Sequence, residues 1–264
     1  MTLAETAIHP TAVVYPGADL GRGVEIGPYC VVESGAELAD GCRLLPHAQI
    51  LGRTILGKGC WVGSGSVIGG EPQDKSYDGE LTKVVIGPGC RFHEHVTVQR
   101  ATEGGETWLG ADVMMMAGSH VGHNARLEQG VILVNGAAVG GHATVGENAI
   151  LSQGSALHQF GRIGRLSLLG GGAMATRDIP PFSIAVGAYP IRWKAPNSIG
   201  LERAGIGSAE RDAIRKALKL AFGGDSTPQK IAPQLVTSEF PLVQEIAHFI
   251  LDSPRGLCAG PARL

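Results

Sequence analysis

Large aromatic side chains are scarce in this sequence: Phe, Trp and Tyr make up 5% of its 264 residues, so the packing must come from smaller groups. An excess of one charge is missing too. The 22 Lys and Arg stand against 24 Asp and Glu, which leaves no broad basic field for nucleic acid or an anionic lipid surface. Nowhere do apolar residues run together for the roughly 18 positions a membrane span needs. The opening MTLAETAIHP has no basic start followed by an apolar stretch, so no signal peptide is expected. These absences predict a soluble, cytoplasmic chain with neither a nucleic-acid partner nor a membrane span.

Glycine fills much of the space. The 40 glycines are about twice the usual share of ~7%. With no G-X-Y period and with 44% hydrophobic residues, neither collagen nor disorder fits.

The hydrophobic residues recur at every sixth position: Ile8, Val14, Leu20, Ile26, Val32, Leu38, Leu44, Ile50, Leu56, Val62 and Ile68. The beat resumes at Ile86, Phe92 and Val98, then runs unbroken from Leu109 through Val121, Val139 and Leu157 to Ala175. Neither a helix nor a hairpin has period six. A parallel β-helix does, with one hexad per wall, three walls per coil, and coils stacked ~4.8 Å apart. Glycine directly after many of these aliphatics, as at Gly21, Gly57, Gly122 and Gly140, predicts tight turns with positive φ there. The fourth residue after each aliphatic is usually small and is assigned to the inside corner. Cys30, Cys42, Cys60 and Cys90 share that phase, which makes them buried small hydrophobes rather than metal ligands or a disulfide framework. Cys258 stands alone.

Two interruptions predict extruded loops, at about 69–85 and 101–107, and long loops on a rigid scaffold are where function concentrates. After Pro180 and Pro181 the beat stops. A β-helix over 1–190 and a small C-terminal helical domain over 191–264 are expected. Ile214, Ala217, Leu218, Ala221 and Phe222 have helical spacing from Ser208 onward, and a second helix is predicted from about Phe240 to Leu251. So short a segment has too little core of its own, so its helices must pack on the β-helix or on a neighbouring subunit.

None of the histidines in the repeat occupies an inward phase, so they face outward. Val121, Val139 and Leu157 should stack in successive coils. Counted from that ruler, His123, Asn124, Gly141, His142 and His158 gather at one corner. A metal site is one reading, but no carboxylate and histidine spacing supports zinc here, and none is expected. Unused surface imidazoles are another. The third is a catalytic base: a neutral imidazole can take a proton from an attacking hydroxyl and return it to a leaving group, while Gly141 offers a bare amide to an oxyanion. That pairing suits acyl transfer.

The hexads, the loop EPQDKSYDGE, and the stretches SHVGHNARL, VNGAAVGGHATV, ALHQFGRIG, RDIPPFSIAVG, NSIGLERAG and PRGL together resemble the UDP-N-acetylglucosamine O-acyltransferase family, which opens lipid A synthesis. The resemblance implies a left-handed parallel β-helix assembled as a homotrimer with sites between subunits. It also implies transfer of a 3-hydroxyacyl chain from acyl carrier protein to the glucosamine 3-hydroxyl of UDP-N-acetylglucosamine, without a cofactor. In that pattern His123 is the general base and the Gly141 amide holds the oxyanion. Gln73, Asp74, His120, His142, His158 and Gln159 contact sugar and acyl groups, and the first loop reaches a neighbouring subunit. Asn197 and Arg203 face the nucleotide, and Gly170 and Gly171 line the acyl pocket, where small residues would admit a longer chain.

The sequence departs from that pattern. Asn124 replaces an aspartate that usually supports the base, and cannot stabilise an imidazolium by charge. Gln99 replaces a histidine, Ile199 an acidic residue and Ala204 an arginine. A related transferase using a coenzyme A donor or an aminosugar acceptor, and a catalytically idle sugar-nucleotide-binding β-helix, therefore remain as alternatives. Arg211, Arg215 and Lys219 form a helical stripe opposite in sign to an acidic carrier protein; a solvated face is the plainer reading.

Overall fold

The computed structural model describes residues 5–224 and 226–261. Residues 1–4 and 262–264, the outer ends of the two expected domains, lie outside the described residues. Short strands form three sheets of 11, 9 and 8 strands, in which each strand pairs with the one a coil away. The pairing is parallel throughout, apart from the closing antiparallel pair Ser183–Val186 and Arg192–Pro196. The chain is a left-handed parallel β-helix, opposite in hand to the usual crossover.

The six-residue beat is the core. From Ile26 to Ala175 every aliphatic position of the repeat is buried, and the strand register pairs Val121 with Val139 and Val139 with Leu157. Ile8, in the first of the described coils, is 46% exposed. The four repeat cysteines are buried and free. Each thiol donates to a backbone carbonyl of a later coil, as Cys30 Sγ does to Leu45 O at 3.0 Å and Cys90 Sγ to Gly110 O at 3.1 Å. Cys258 is buried as well, and burial pushes its thiol up to about 12.

The positive φ expected directly after the strand is absent at Gly21, Gly57, Gly122 and Gly140, although Gly69 has it. Positive φ falls later in the turn, at Gly23, Gly41 and Gly59 and at Tyr29, Asn124 and His142. The glycine directly after the strand is needed because the next coil comes too close. A Cβ on Gly57 would stand 2.5 Å from Gly87 C, and one on Gly140 would stand 2.6 Å from Gln159 N.

Both extruded loops are shorter than expected, because the flanking strands lengthen. Val67–Gly70 and Lys83–Ile86 leave 71–82 outside the ladder, and Thr97–Gln99 and Glu106–Leu109 leave 100–105. Lys83 pairs with Glu106 across the ladder at 3.0 Å. The sheet also continues past residue 190, through Arg192–Pro196.

Four helices follow: α1 (Ser198–Arg203), α2 (Ser208–Gly223), α3 (Pro228–Leu235) and α4 (Pro241–Leu251). Helix α2 buries the five residues that its spacing singled out, and α4 begins one residue after Phe240. The sequence reading missed α1, which is only six residues long, and α3, which carries Pro233 in its interior. No helix among the described residues is long and apolar enough to cross a membrane.

Candidate active site

The second sheet stacks His120, Ala138, Ala156 and Met174 in register as outward-facing residues. They lie in a cavity of about 370 Å³. Polar groups gather at its lower end, namely Gln73, Gln99, His120 and His123. Gly141 follows one coil up, then His158 and Gln159, and Met174, Thr176 and Tyr189 close the upper end. The alanines make the middle a shallow apolar trough.

His123 is the centre of this corner, at 9% exposure. Its ring lies over the Cα of Gly141, where a Cβ would stand 2.6 Å from Nε2. Among the described residues the Gly141 N–H has no backbone acceptor. The turn geometry repeats at His123 and Gln159, so what distinguishes Gly141 is the imidazole beside it and the missing side chain. His142 meets His123 edge to face at 5.1 Å and stacks on Phe160 at 4.6 Å. Burial holds His142 below its ordinary value. Burial, and then His123, do the same for His120, whose Nδ1 lies 2.8 Å from Thr97 Oγ1.

The two loops approach His123 from opposite sides. The first leaves the second sheet two coils below His120 and brings Asp74 Oδ2 to 3.6 Å from His123 Nε2 of its own chain. Asp74 thus meets the imidazole of its own chain. Hydrogen bonds from Ser76 N–H and Ser76 Oγ, both 2.9 Å, hold the Asp74 carboxyl below its usual range. From the second loop, Thr102 grips Asn124, whose Oδ1 lies 2.9 Å from His123 Nδ1. Arg100 and Tyr77 tie the loops together, with guanidinium to phenol contacts of 2.9 and 3.1 Å.

Asn197, Arg203, Gly170 and Gly171 do not line this cavity of the single chain. Asn197 is the N-cap of α1: its Oδ1 accepts from Gly200 N–H at 3.1 Å and its Nδ2 donates to Leu166 O at 2.8 Å. The carboxamide is buried and committed internally. Arg203 is exposed on the last turn of α1, outside the cavity. Gly170 and Gly171 sit at the turn before the strand Met174–Ala175 and do not line the cavity of their own chain. A Cβ on Gly170 would meet Val186 Cγ1 at 2.9 Å. The site residues that the sequence reading missed are Thr102, Met174, Tyr189 and Arg255. Arg255, in PRGL, comes within 3.4 Å of His158 Nδ1. Met174 was legible in principle, since it follows Ala156 by one coil.

The repeat and this corner define a β-helical protein with a cluster of imidazole, carboxylate and carboxamide groups on one wall. The family model described as UDP-N-acetylglucosamine O-acyltransferase, domain 2, matches residues 178–258. An acyl-[acyl-carrier-protein]--UDP-N-acetylglucosamine O-acyltransferase of Thermodesulfovibrio yellowstonii is 36% identical over 95% of this chain and 98% of its own. One from Chlamydia abortus is 38% identical over 98% and 94%. Among solved structures, a UDP-N-acetylglucosamine acyltransferase from Bacteroides fragilis superposes with a TM-score of 0.90 at 32% identity, covering 95% of this chain and 99% of that one. That of Campylobacter jejuni gives 0.91 at 29%, covering 96% and 100%. The chain belongs to the acyl-[acyl-carrier-protein]--UDP-N-acetylglucosamine O-acyltransferase family.

Proposed function

We infer that this chain moves a 3-hydroxyacyl group from acyl carrier protein to the 3-hydroxyl of UDP-N-acetylglucosamine, the first step of lipid A biosynthesis, in the cytoplasm. The observation that carries the residue assignment is the seating of the His123 ring over Gly141, at the mouth of a trough that is polar below and apolar above.

In this reading Nε2 of His123 takes the proton of the sugar hydroxyl as its oxygen attacks the thioester carbonyl. The carbonyl oxygen becomes an oxyanion held by the Gly141 N–H. When the intermediate collapses, the C–S bond breaks, the ester C–O bond remains, and the imidazolium returns its proton to the departing thiolate. Asn124 supports the ring by a hydrogen bond only. The negative charge is supplied instead by Asp74, 3.6 Å from Nε2, which together with Gln73 also lies where the sugar would enter.

The acyl chain would run up the trough over Ala138 and Ala156 toward Met174. Gly170, Gly171 and Arg203 could meet substrate only from another subunit, which accords with a homotrimer whose sites lie between chains. The α2 stripe is a candidate docking face for the acidic carrier. Arg211 is 3.7 Å from Glu202 and Arg215 is 2.9 Å from Asp212, but such exposed pairs are weak and exchange readily.

Incubation with UDP-N-acetylglucosamine and hydroxyacyl-carrier thioesters, beside acetyl-coenzyme A and a 3-amino sugar nucleotide, tests the reading. Transfer to the 3-hydroxyl should fall by roughly 10²–10⁴-fold in His123→Ala. Turnover unaffected by that substitution removes the base assignment. Nucleotide binding without turnover on any donor favours an idle module.

A further inference from the structure

Asn124 sits in the left-handed backbone region, at φ 58, which asparagine tolerates better than most residues. Its carboxamide is held along its length by one residue of the second loop. Thr102 N–H donates to Oδ1 at 2.9 Å, Thr102 Oγ1 donates to the same oxygen at 3.0 Å, and Nδ2 donates to Thr102 O at 3.3 Å. Asn124 N–H in turn donates to Thr107 Oγ1 at 2.8 Å.

An asparagine side chain can usually be turned over, exchanging oxygen for nitrogen. Here it cannot. A backbone N–H only donates and a backbone carbonyl only accepts, so reversing the amide would set N–H against N–H and oxygen against oxygen. Oδ1 must therefore face His123 Nδ1, 2.9 Å away. An acceptor at that position requires a hydrogen on Nδ1, and in a neutral ring this leaves the lone pair on Nε2. That nitrogen is the one over Gly141 and beside Asp74.

We propose that Thr102 is a positioning residue, which grips both ends of the Asn124 carboxamide and so keeps His123 in the tautomer whose Nε2 is free to accept a proton. The kinetic consequence rests on the acyl-transfer reading above; the tautomer itself does not. The arrangement also accounts for the departure at 124. An aspartate there would oppose a carboxylate oxygen to Thr102 O in place of the Nδ2 donor, so this loop matches an amide and repels a carboxylate. Loop and asparagine form a fitted pair, in which hydrogen-bond geometry orients the ring without charge.

The test reads the tautomer directly. Imidazole ¹⁵N shifts of the free, histidine-labelled protein, assigned with His123→Gln, should show His123 protonated on Nδ1 alone at pH 8. Thr102→Pro removes the N–H donor and the hydroxyl together. Gly105→Ala is a milder variant, since its Cβ would stand 2.9 Å from Asn124 Nδ2 and 3.2 Å from Thr102 O and would push the amide out of register. Each should give mixed tautomers and a kcat about tenfold lower, with KM for the sugar nucleotide and Tm little changed. If Thr102→Pro does not fold, Gly105→Ala decides. A wild-type ring protonated on Nε2, or a single unchanged tautomer in Gly105→Ala, overturns the proposal. Locked tautomers in a protein without acyl transfer would leave the proposal standing and remove the functional reading instead.

Discussion

The imidazole of His123 occupies the space where a side chain on Gly141 would be: a Cβ there would stand 2.6 Å from Nε2 and 2.8 Å from Cε1. Gly141 has an ordinary backbone conformation, so alanine at this position strains no turn. It only displaces the ring. Gly141→Ala should therefore fold with near-native Tm and lose roughly 10²-fold in kcat, the scale expected for about 1 Å of misplacement. Unchanged turnover in a folded variant would mean that the ring and this amide do not act together.

Met174 ends the apolar trough one coil above Ala156. Shortening it to alanine should shift kcat/KM toward longer acyl chains, by about tenfold or more per added methylene at the new optimum. A panel of carrier thioesters of graded length measures this. If Gly171→Leu shifts the preference and Met174→Ala does not, the glycine turn of a neighbouring subunit sets the length instead.

Stability should weaken on mild acidification. His120 and His142 are both held below their ordinary value of 6.5, chiefly by burial. As pH drops below 6.5 the unfolded chain takes up protons that the folded one refuses, so the unfolded state gains. This stability is fully present above about 6.5 and is lost progressively as pH falls toward the folded values. Urea midpoints at pH 8, 6.5 and 5.5 should decline, and less steeply in a His120→Gln, His142→Gln double variant. Equal slopes would assign the acid sensitivity to other groups.

The glycines of the turn should divide into two classes. Gly57→Ala sets a Cβ 2.5 Å from the Gly87 backbone, which cannot yield as a side chain can, so a loss of about 1–3 kcal/mol is expected from overpacking. Gly59 has φ +71 and open space around it. There asparagine should be nearly neutral, since it accepts the left-handed region. Denaturant midpoints on the two variants check the distinction, and similar losses would refute it.

Most of the prism was legible in the sequence, because a period of six leaves few alternatives and Val121, Val139 and Leu157 had to stack. The gathering of His123, Gly141 and His158 followed from the same counting. Apart from Met174, what counting missed lay outside the repeat. Asp74 and Thr102 sit in the two loops, where no period relates them to His123. Asn197 illustrates a third case: a residue singled out by resemblance whose amide also caps a helix, a contact that no repeat spacing indicates.

The spacing of aliphatic and small residues alone determined which residues are buried, how the coils stack and which wall carries the imidazoles, because burial of two side chains in six, one aliphatic and one small, is a local constraint renewed at every turn. Only the tertiary structure decided which way the His123 ring is oriented and what stands on either side of it. Those contacts join residues 22 and 49 positions apart in the chain, Thr102 with Asn124 and Asp74 with His123, and hydrogen-bond direction at the end of a folded loop leaves no periodic trace.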